Sequence, residues 1–490
     1  METAFESITQ DNMRTEKKQG MSFIKKAISK LPRMPIAFLG FGLHRAWIEI
    51  AFVGSFIEFP ANHFNGHNIF DFSILAVALI CVATYKKLGT LYDKRSLHWV
   101  CGITLVLSTI GLFASLWYPN LASTLAIPSA ILGGTGIALL ILFWSELYCC
   151  LNPVRVALYF CASIAFGAIV IYIYRGFYIP WLFVAMIFTP LASLACLKAS
   201  FNILLTEEAA KIPIKKSPFP WKPVFLMALF AFAYGLKESS LYASSFGPHS
   251  AFGTLAMATI VFLGVVFQGG KFDFRVIYRF ALPLMIGTFL ILPTLGFLDN
   301  TAANFCITGA YTAFSILIMI ILTSLSYHCG VSPILLFGTE RAVRVLFNML
   351  GRQAEIGISN LEFSSGFSSD FILNALVILL VTALTMMLLS GKDLSSRWGV
   401  SFSKRSSDND KCLTRDGQLL AVCSRVALKH RLSQREEEVL FLLATRKSVS
   451  DIEKELVVAK GTAKTHVRNI YRKLDVHSRD ELIEYLEMQA

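Results

Sequence analysis

Residues 461–482, GTAKTHVRNIYRKLDVHSRDEL, belong to a chain whose larger part is far more apolar than they are. Within them Val467, Ile470, Tyr471 and Leu474 recur at i, i+3, i+4 and i+7, one apolar stripe along a helix. Lys460, Lys464, Arg468 and Arg472 recur every four residues and form a ridge beside that stripe. Lys473 adds a further base, and residues 460–473 hold no acid. A solvated helix face normally mixes signs. Here one sign is concentrated on one helix, although residues 428–490 as a whole carry twelve bases against eleven acids. A cationic helix of this kind, second in a helix-turn-helix, suits the major groove of double-stranded DNA.

The flanking residues supply the rest of a small helical domain. Ser433 followed by Glu436 is a capping box, and Glu436, Glu437 and Glu438 sit in a first turn, where the helix dipole favours anions. Val439, Leu440, Leu442 and Leu443 give that helix a buried face. Ser448 caps a second helix with Ile452 and Leu456 facing inward, and Ser478 with Glu481 opens a fourth.

The remainder has a different composition. Hydrophobic residues make up 55% of the 490, charged residues 16%, and mean hydropathy is +0.58. This excludes a soluble protein and predicts an all-α polytopic membrane bundle ahead of the small domain. Runs of about 20 residues, enough to cross a bilayer, fall near 36–58, 69–85, 98–118, 123–147, 154–174 and 178–198. A second set follows near 223–246, 250–270, 277–297, 302–326, 332–350 and 370–390. The expected organisation is a basic segment 1–34, a membrane domain 35–391 of about twelve spans, a linker with a short helix 392–427, and the helix-turn-helix domain 428–490.

Lys and Arg cluster before the first span and in alternate loops, as in Lys86, Lys87, Lys94 and Arg95, while EFPANHFNGHN and LDNTAAN have none. That bias puts both termini in the cytoplasm and the protein in the inner membrane. Residues 21–31 suit a helix lying on the lipid surface or a basic tail. No cleavable signal sequence is expected before Pro35. The ten cysteines include no C-x-x-C pair, so neither a metal site nor a cofactor is expected.

Charges inside the apolar runs are the candidate ligand-binding residues, because they are costly in hydrocarbon. They are Arg45 and Glu49, Glu146, and Lys237 with Glu238. Arg45 and Glu49 lie four apart and can pair. Two readings stand: a ligand cavity with Arg45 and Lys237 as anion-binding groups and Trp47, Trp144 and Tyr242 as walls, or ion pairs that lock helices together. Glu340, Arg341 and Arg344 are expected to form an ion-paired helix face with no ligand role.

Two resemblances follow from these residues. SQREEEVL, GTAKTHVRNIYRKL and VHSRDEL resemble the LuxR-type helix-turn-helix of bacterial transcription regulators. The resemblance implies a four-helix domain that binds DNA as a homodimer. It places Lys464, Thr465 and Arg468 at base edges, and Lys460, Thr462, His466, Asn469, Arg472 and Lys473 mostly at the backbone. His466 is alternatively a core-edge residue that fixes the turn. Arg446, Glu453, Ala459 and Ala463 depart from the family pattern. The two sets of six spans, and GTLYDKRS at 89–96, resemble the major facilitator superfamily, whose first, fourth and seventh spans line a central cavity. Gly42-Leu43-His44-Arg45 and Gly235-Leu236-Lys237-Glu238 stand at equivalent places in the two halves. The expected function is a membrane-embedded one-component regulator that senses a small molecule or partner. The alternative is a transporter with an autoregulatory DNA-binding tail. No catalytic motif supports an enzyme.

Overall fold

The computed structural model describes residues 35–54, 56–151, 153–204, 219–236, 238, 249–268, 277, 281, 283–285, 300–329, 331–359, 423, 426–427, 430, 432–444, 447–456 and 460–488. The basic segment 21–31, the span expected at 370–390, most of the one at 277–297 and most of the linker lie outside these residues, as do Lys237 and Tyr242. The chain divides into two compact units, Met1–Phe402 and Ser403–Ala490. Among the described residues every regular element is helical.

In the first unit the helices are α1 (Ile36–Val53), α2 (Gly66–Leu88), α3 (Arg95–Trp117), α4 (Ala122–Cys149), α5 (Pro153–Tyr174) and α6 (Ile179–Leu204). They continue with α7 (Trp221–Gly235), α8 (His249–Gln268), α9 (Asn300–Cys329) and α10 (Pro333–Ser359). Among the described residues seven helices, α1 to α6 and α9, are long and apolar enough to cross a membrane. The apolar cores of α7 and α8 are shorter. At 1.5 Å per residue, the 23 residues of α3 reach about 34 Å, against a hydrocarbon core of about 30 Å.

Polarity runs inside out. On α3 Trp99, Val100, Ile103, Leu107 and Ile110 are exposed, while Ser108, Thr109 and Ser115 are buried. Ser129, Ser163 and Ser193 are likewise interior. An apolar exterior over a hydroxyl-bearing interior is what a lipid solvent selects, since polar groups must find partners within the protein. The amphipathic α10 shows this most fully. Leu346, Leu350 and Ile356 face out, and Glu340 and Arg352 face in.

The packing repeats between the halves. Gly42 of α1 lies so close to α5 that a Cβ would sit 1.9 Å from the Ser163 carbonyl oxygen and 2.8 Å from the Gly167 nitrogen. The Gly42 amide donates to Ser163 Oγ at 2.6 Å across this crossing. Gly235 of α7 meets α10 in the same way, its Cβ position 2.3 Å from the Asn348 oxygen, with Gly351 close to Gly235 in return. The halves join through α2 against α10 and α5 against α8. Exchanging the two sets of helices maps one of these interfaces onto the other, so the glycine repeat read from the sequence marks equivalent crossings.

The second unit contains α11 (Gln434–Ala444), α12 (Val449–Leu456), α13 (Lys460–Leu474) and α14 (Arg479–Met488). Val439, Leu440, Leu443, Ile452, Ile470, Leu474, Leu482 and Leu486 form its core. Cys423 and Val426 are buried in the same core, which therefore reaches upstream of residue 428.

Candidate nucleic-acid interface and buried charges

Three caps fix the small domain. At α11 the Ser433 amide donates to Glu436 Oε2 at 2.8 Å, and the Glu436 amide to Ser433 Oγ at 3.3 Å. At α12 Ser448 and Asp451 exchange the same pair of bonds at 3.0 and 3.2 Å. At α14 the Glu481 amide donates to Ser478 Oγ at 3.1 Å, and the Glu481 carboxylate accepts from the His477 amide at 2.8 Å. Helix α13 ends at Asp475, whose φ of 55° is left-handed, with the Val476 amide returning to the Tyr471 carbonyl at 3.0 Å. This is a Schellman closure made without glycine. His430 bridges the Lys473 carbonyl at 3.1 Å and the Tyr485 hydroxyl at 2.8 Å. Arg479 donates to the Lys447 carbonyl.

These contacts leave one face of α13 open. Thr462, Lys464, Thr465, Arg468 and Arg472 are exposed, and Val467, Ile470, Tyr471 and Leu474 turn inward to differing depths. The Thr465 hydroxyl donates to the Gly461 carbonyl at 2.9 Å, one turn back, and remains on the open face. Arg472 reaches Asn469 Oδ1 at 3.4 Å. His466 and Asn469 are half-buried at the edge of the stripe. The side chain of Lys460 lies outside the described residues. Lys473 is already engaged, its ammonium 2.6 Å from Glu436 Oε2. That contact competes with any phosphate. Burial tends to raise the Glu436 carboxyl, but Lys473 and Ser433 outweigh it and hold the group below the usual carboxylate range. A cleft of about 540 Å³ runs beside the ridge, lined by Lys464, Arg468, Arg472 and His477 among others.

In the first unit most of the sequence-selected charges have protein partners. Glu146 accepts from the amides of Leu91 and Tyr92 at 2.8 and 2.9 Å, so it clamps the loop after α2. Glu49 lies 3.8 Å from Arg175, and Arg45 donates to Thr254 at 2.8 Å. Arg45 and Glu49, which could pair along the helix, thus each have a contact elsewhere among the described residues. Glu238 accepts from Arg352 at 3.0 Å and from Asn348 at 3.2 Å. Arg352 also pairs with Asp71, and His67 stands 2.7 Å from the same guanidinium. This buried cluster ties α2 to α10 and to the end of α7. Asp71 in NIFDFSIL was a visible signal, an acid within an apolar run. It sits one turn inside the helix and was not among the charges selected from the sequence.

Trp47 and Trp144 are fully buried, their indole N–H groups donating to Thr109 at 2.9 Å and Ser193 at 3.0 Å. Both belong to the buried core of the unit. Glu340 pairs with Arg344 as expected.

Residues 430–486 match the family model for bacterial regulatory proteins of the luxR family. A 62-residue segment is 42% identical to the uncharacterized response regulatory protein YgeK of Escherichia coli (strain K12). It covers 13% of this chain, and the chain spans 42% of that relative's length. A crystal structure of the major facilitator superfamily transporter FucP, in the outward conformation, aligns with 72% of this chain and 97% of its own. The sequence identity is 11% and the TM-score 0.43. The chain thus joins a LuxR-family helix-turn-helix DNA-binding domain, at residues 430–486, to a multi-pass membrane unit.

Proposed function

We propose that this protein is a one-component transcription regulator held in the cytoplasmic membrane with both termini on the cytoplasmic side. The observation that carries the proposal is the open ridge Lys464–Arg468–Arg472 on α13, in the same chain as the membrane helices. Lys464, Thr465 and Arg468 read base edges, and Thr462, Arg472 and the half-buried Asn469 and His466 serve the phosphate backbone. Two copies bind paired half-sites as a homodimer. The roughly thirty residues between 391 and Cys423 span at most about 110 Å when extended. DNA is therefore reached without proteolysis.

The membrane unit supplies the input. A small molecule or partner shifts the balance between two arrangements of the bundle only by binding them unequally. Transport is the competing reading, and proteoliposome uptake separates the two, since a regulator of this kind binds its ligand without moving it.

The DNA role is tested by Lys464→Ala and Arg468→Ala in the full chain, with an operator selected from random duplexes. Each substitution is expected to relax discrimination at one or two base positions by about 1–3 kcal/mol. Fluorescence anisotropy against single-base operator variants measures it, and undiminished discrimination in both variants refutes the assignment.

A further inference from the structure

Among the described residues of the membrane unit, the exposed lysines and arginines are Lys86, Lys87, Arg95 and Lys198. All four stand at one end of the bundle, in the last turn of α2, the first turn of α3 and near the end of α6. The stacked rings of Tyr92 and Phe201, with centroids 3.7 Å apart, join the loop before α3 to α6 at that end. The acids beside them are engaged. Glu146 is buried on the Leu91 and Tyr92 amides, and the exposed Asp93 accepts from the Thr90 hydroxyl. Arg95 opens α3, where the helix dipole disfavours a cation, and that first turn carries no acid to offset it. Its charge does not serve the helix.

Two of these bases share a seam with exposed apolar groups. A Cβ on Gly102 of α3 would lie 3.4 and 3.7 Å from Leu194 and Leu191 of α6. Further along, the rings of Phe113 and Phe183 stand 5.1 Å apart. Residue numbers rise on α3 as they fall on α6, so the two helices run antiparallel and Arg95 comes level with residues 198–201. Helical spacing places the side chains on the seam. Arg95 and Trp99 precede Gly102 by seven and three residues, and Lys198 follows Leu191 and Leu194 by seven and four. Trp99 is 72% exposed, and Ile103 and Phe188 are 51% and 62% exposed. The order along the seam is therefore two bases, an indole, then aliphatic and aromatic groups. That order matches a phospholipid read from headgroup to chain: bases reach the phosphate, Trp sits at the interface, and apolar groups line the acyl region.

We infer that the seam between α3 and α6 binds an anionic phospholipid, its phosphate between Arg95 and Lys198 and its acyl chains along Trp99, Ile103 and Phe188. Lys86 and Lys87 lie on α2, outside the seam, and add only to the general positive field of that surface. The inference goes beyond the regulatory reading and needs only that the unit lies in a bilayer.

The test uses the full chain in nanodiscs of equal parts phosphatidylcholine and phosphatidylglycerol, with brominated acyl chains on one lipid or the other. Quenching of tryptophan fluorescence is the readout, and the Trp99 contribution is the difference between the parent and Trp99→Phe. Brominated phosphatidylglycerol is expected to quench that contribution at about a fivefold lower mole fraction than brominated phosphatidylcholine, or lower still. Arg95→Gln combined with Lys198→Gln should bring the two lipids within about twofold of each other. Lys86→Gln combined with Lys87→Gln removes the same charge from the same surface and should keep the preference. All four side chains are exposed, so none of these substitutions opens the core. Equal quenching by the two lipids, a preference that survives the loss of Arg95 and Lys198, or one lost equally with Lys86 and Lys87 would each overturn the site. Glycerol phosphate, the headgroup without its chains, should leave the quenching unchanged. Displacement by it would assign the bases to a soluble anion and overturn the lipid.

Discussion

Glu436 shows how one carboxylate can fix the orientation of a whole recognition face. It closes the cap of α11 through the Ser433 amide and, 37 residues on, holds the Lys473 ammonium near the end of α13. Its carboxyl lies below the ordinary value of about 4.5 in the fold, so its contribution is complete above that pH. The contribution fades as acid carries the pH down through the folded value. Glu436→Gln should cost about 1 kcal/mol near neutrality and flatten this acid dependence, as read from denaturant unfolding of residues 403–490 between about pH 3 and about pH 7. An unaltered acid limb in the variant would place the effect elsewhere. Arg468, by contrast, is exposed with no hydrogen bond or ion pair among the described residues, and its replacement should leave stability unchanged while relaxing base discrimination. The pair separates side chains that build the domain from those free to read DNA.

At the scale of elements, the crossing of α1 with α5 depends on absent side chains. Gly42→Ala would place a methyl 1.9 Å from a backbone carbonyl, which a rotamer change cannot relieve. The helices must separate, also stretching the 2.6 Å bond from the Gly42 amide to Ser163. A loss of about 2 kcal/mol or more is expected, seen as a lower melting temperature of the detergent-solubilised chain, with Ala46→Gly as a control at a nearby buried site. The glycine repeat was legible in the sequence because identical small residues at matched places need no partner to be noticed. The caps of α11, α12 and α14 were legible for the same reason, being local in the chain. The partners of Glu49, Glu146 and Glu238 were not. Each lies between 54 and 126 residues away, and periodicity along one helix says nothing about which neighbour it will meet. Arg45 and Glu49 share a helix face, yet each has a contact elsewhere in the unit.

Across the whole membrane unit, Arg352 is the tie between the halves, joining Asp71 of α2 to Glu238 beyond α7. Arg352→Gln removes the guanidinium that two buried carboxylates share. It should destabilise the bundle by about 3–5 kcal/mol. Melting curves of the solubilised variant check this. The inverted polarity of α10 also constrains biogenesis. A helix that carries Glu340, Arg341, Arg344 and Arg352 cannot rest alone in lipid, and its counter-charge at Asp71 was synthesised some 281 residues earlier. Integration of α10 must therefore wait for a docking surface already assembled from α2 and α7. A ribosome-stalled chain ending soon after Ser359 would cross-link to those two helices before it touches lipid.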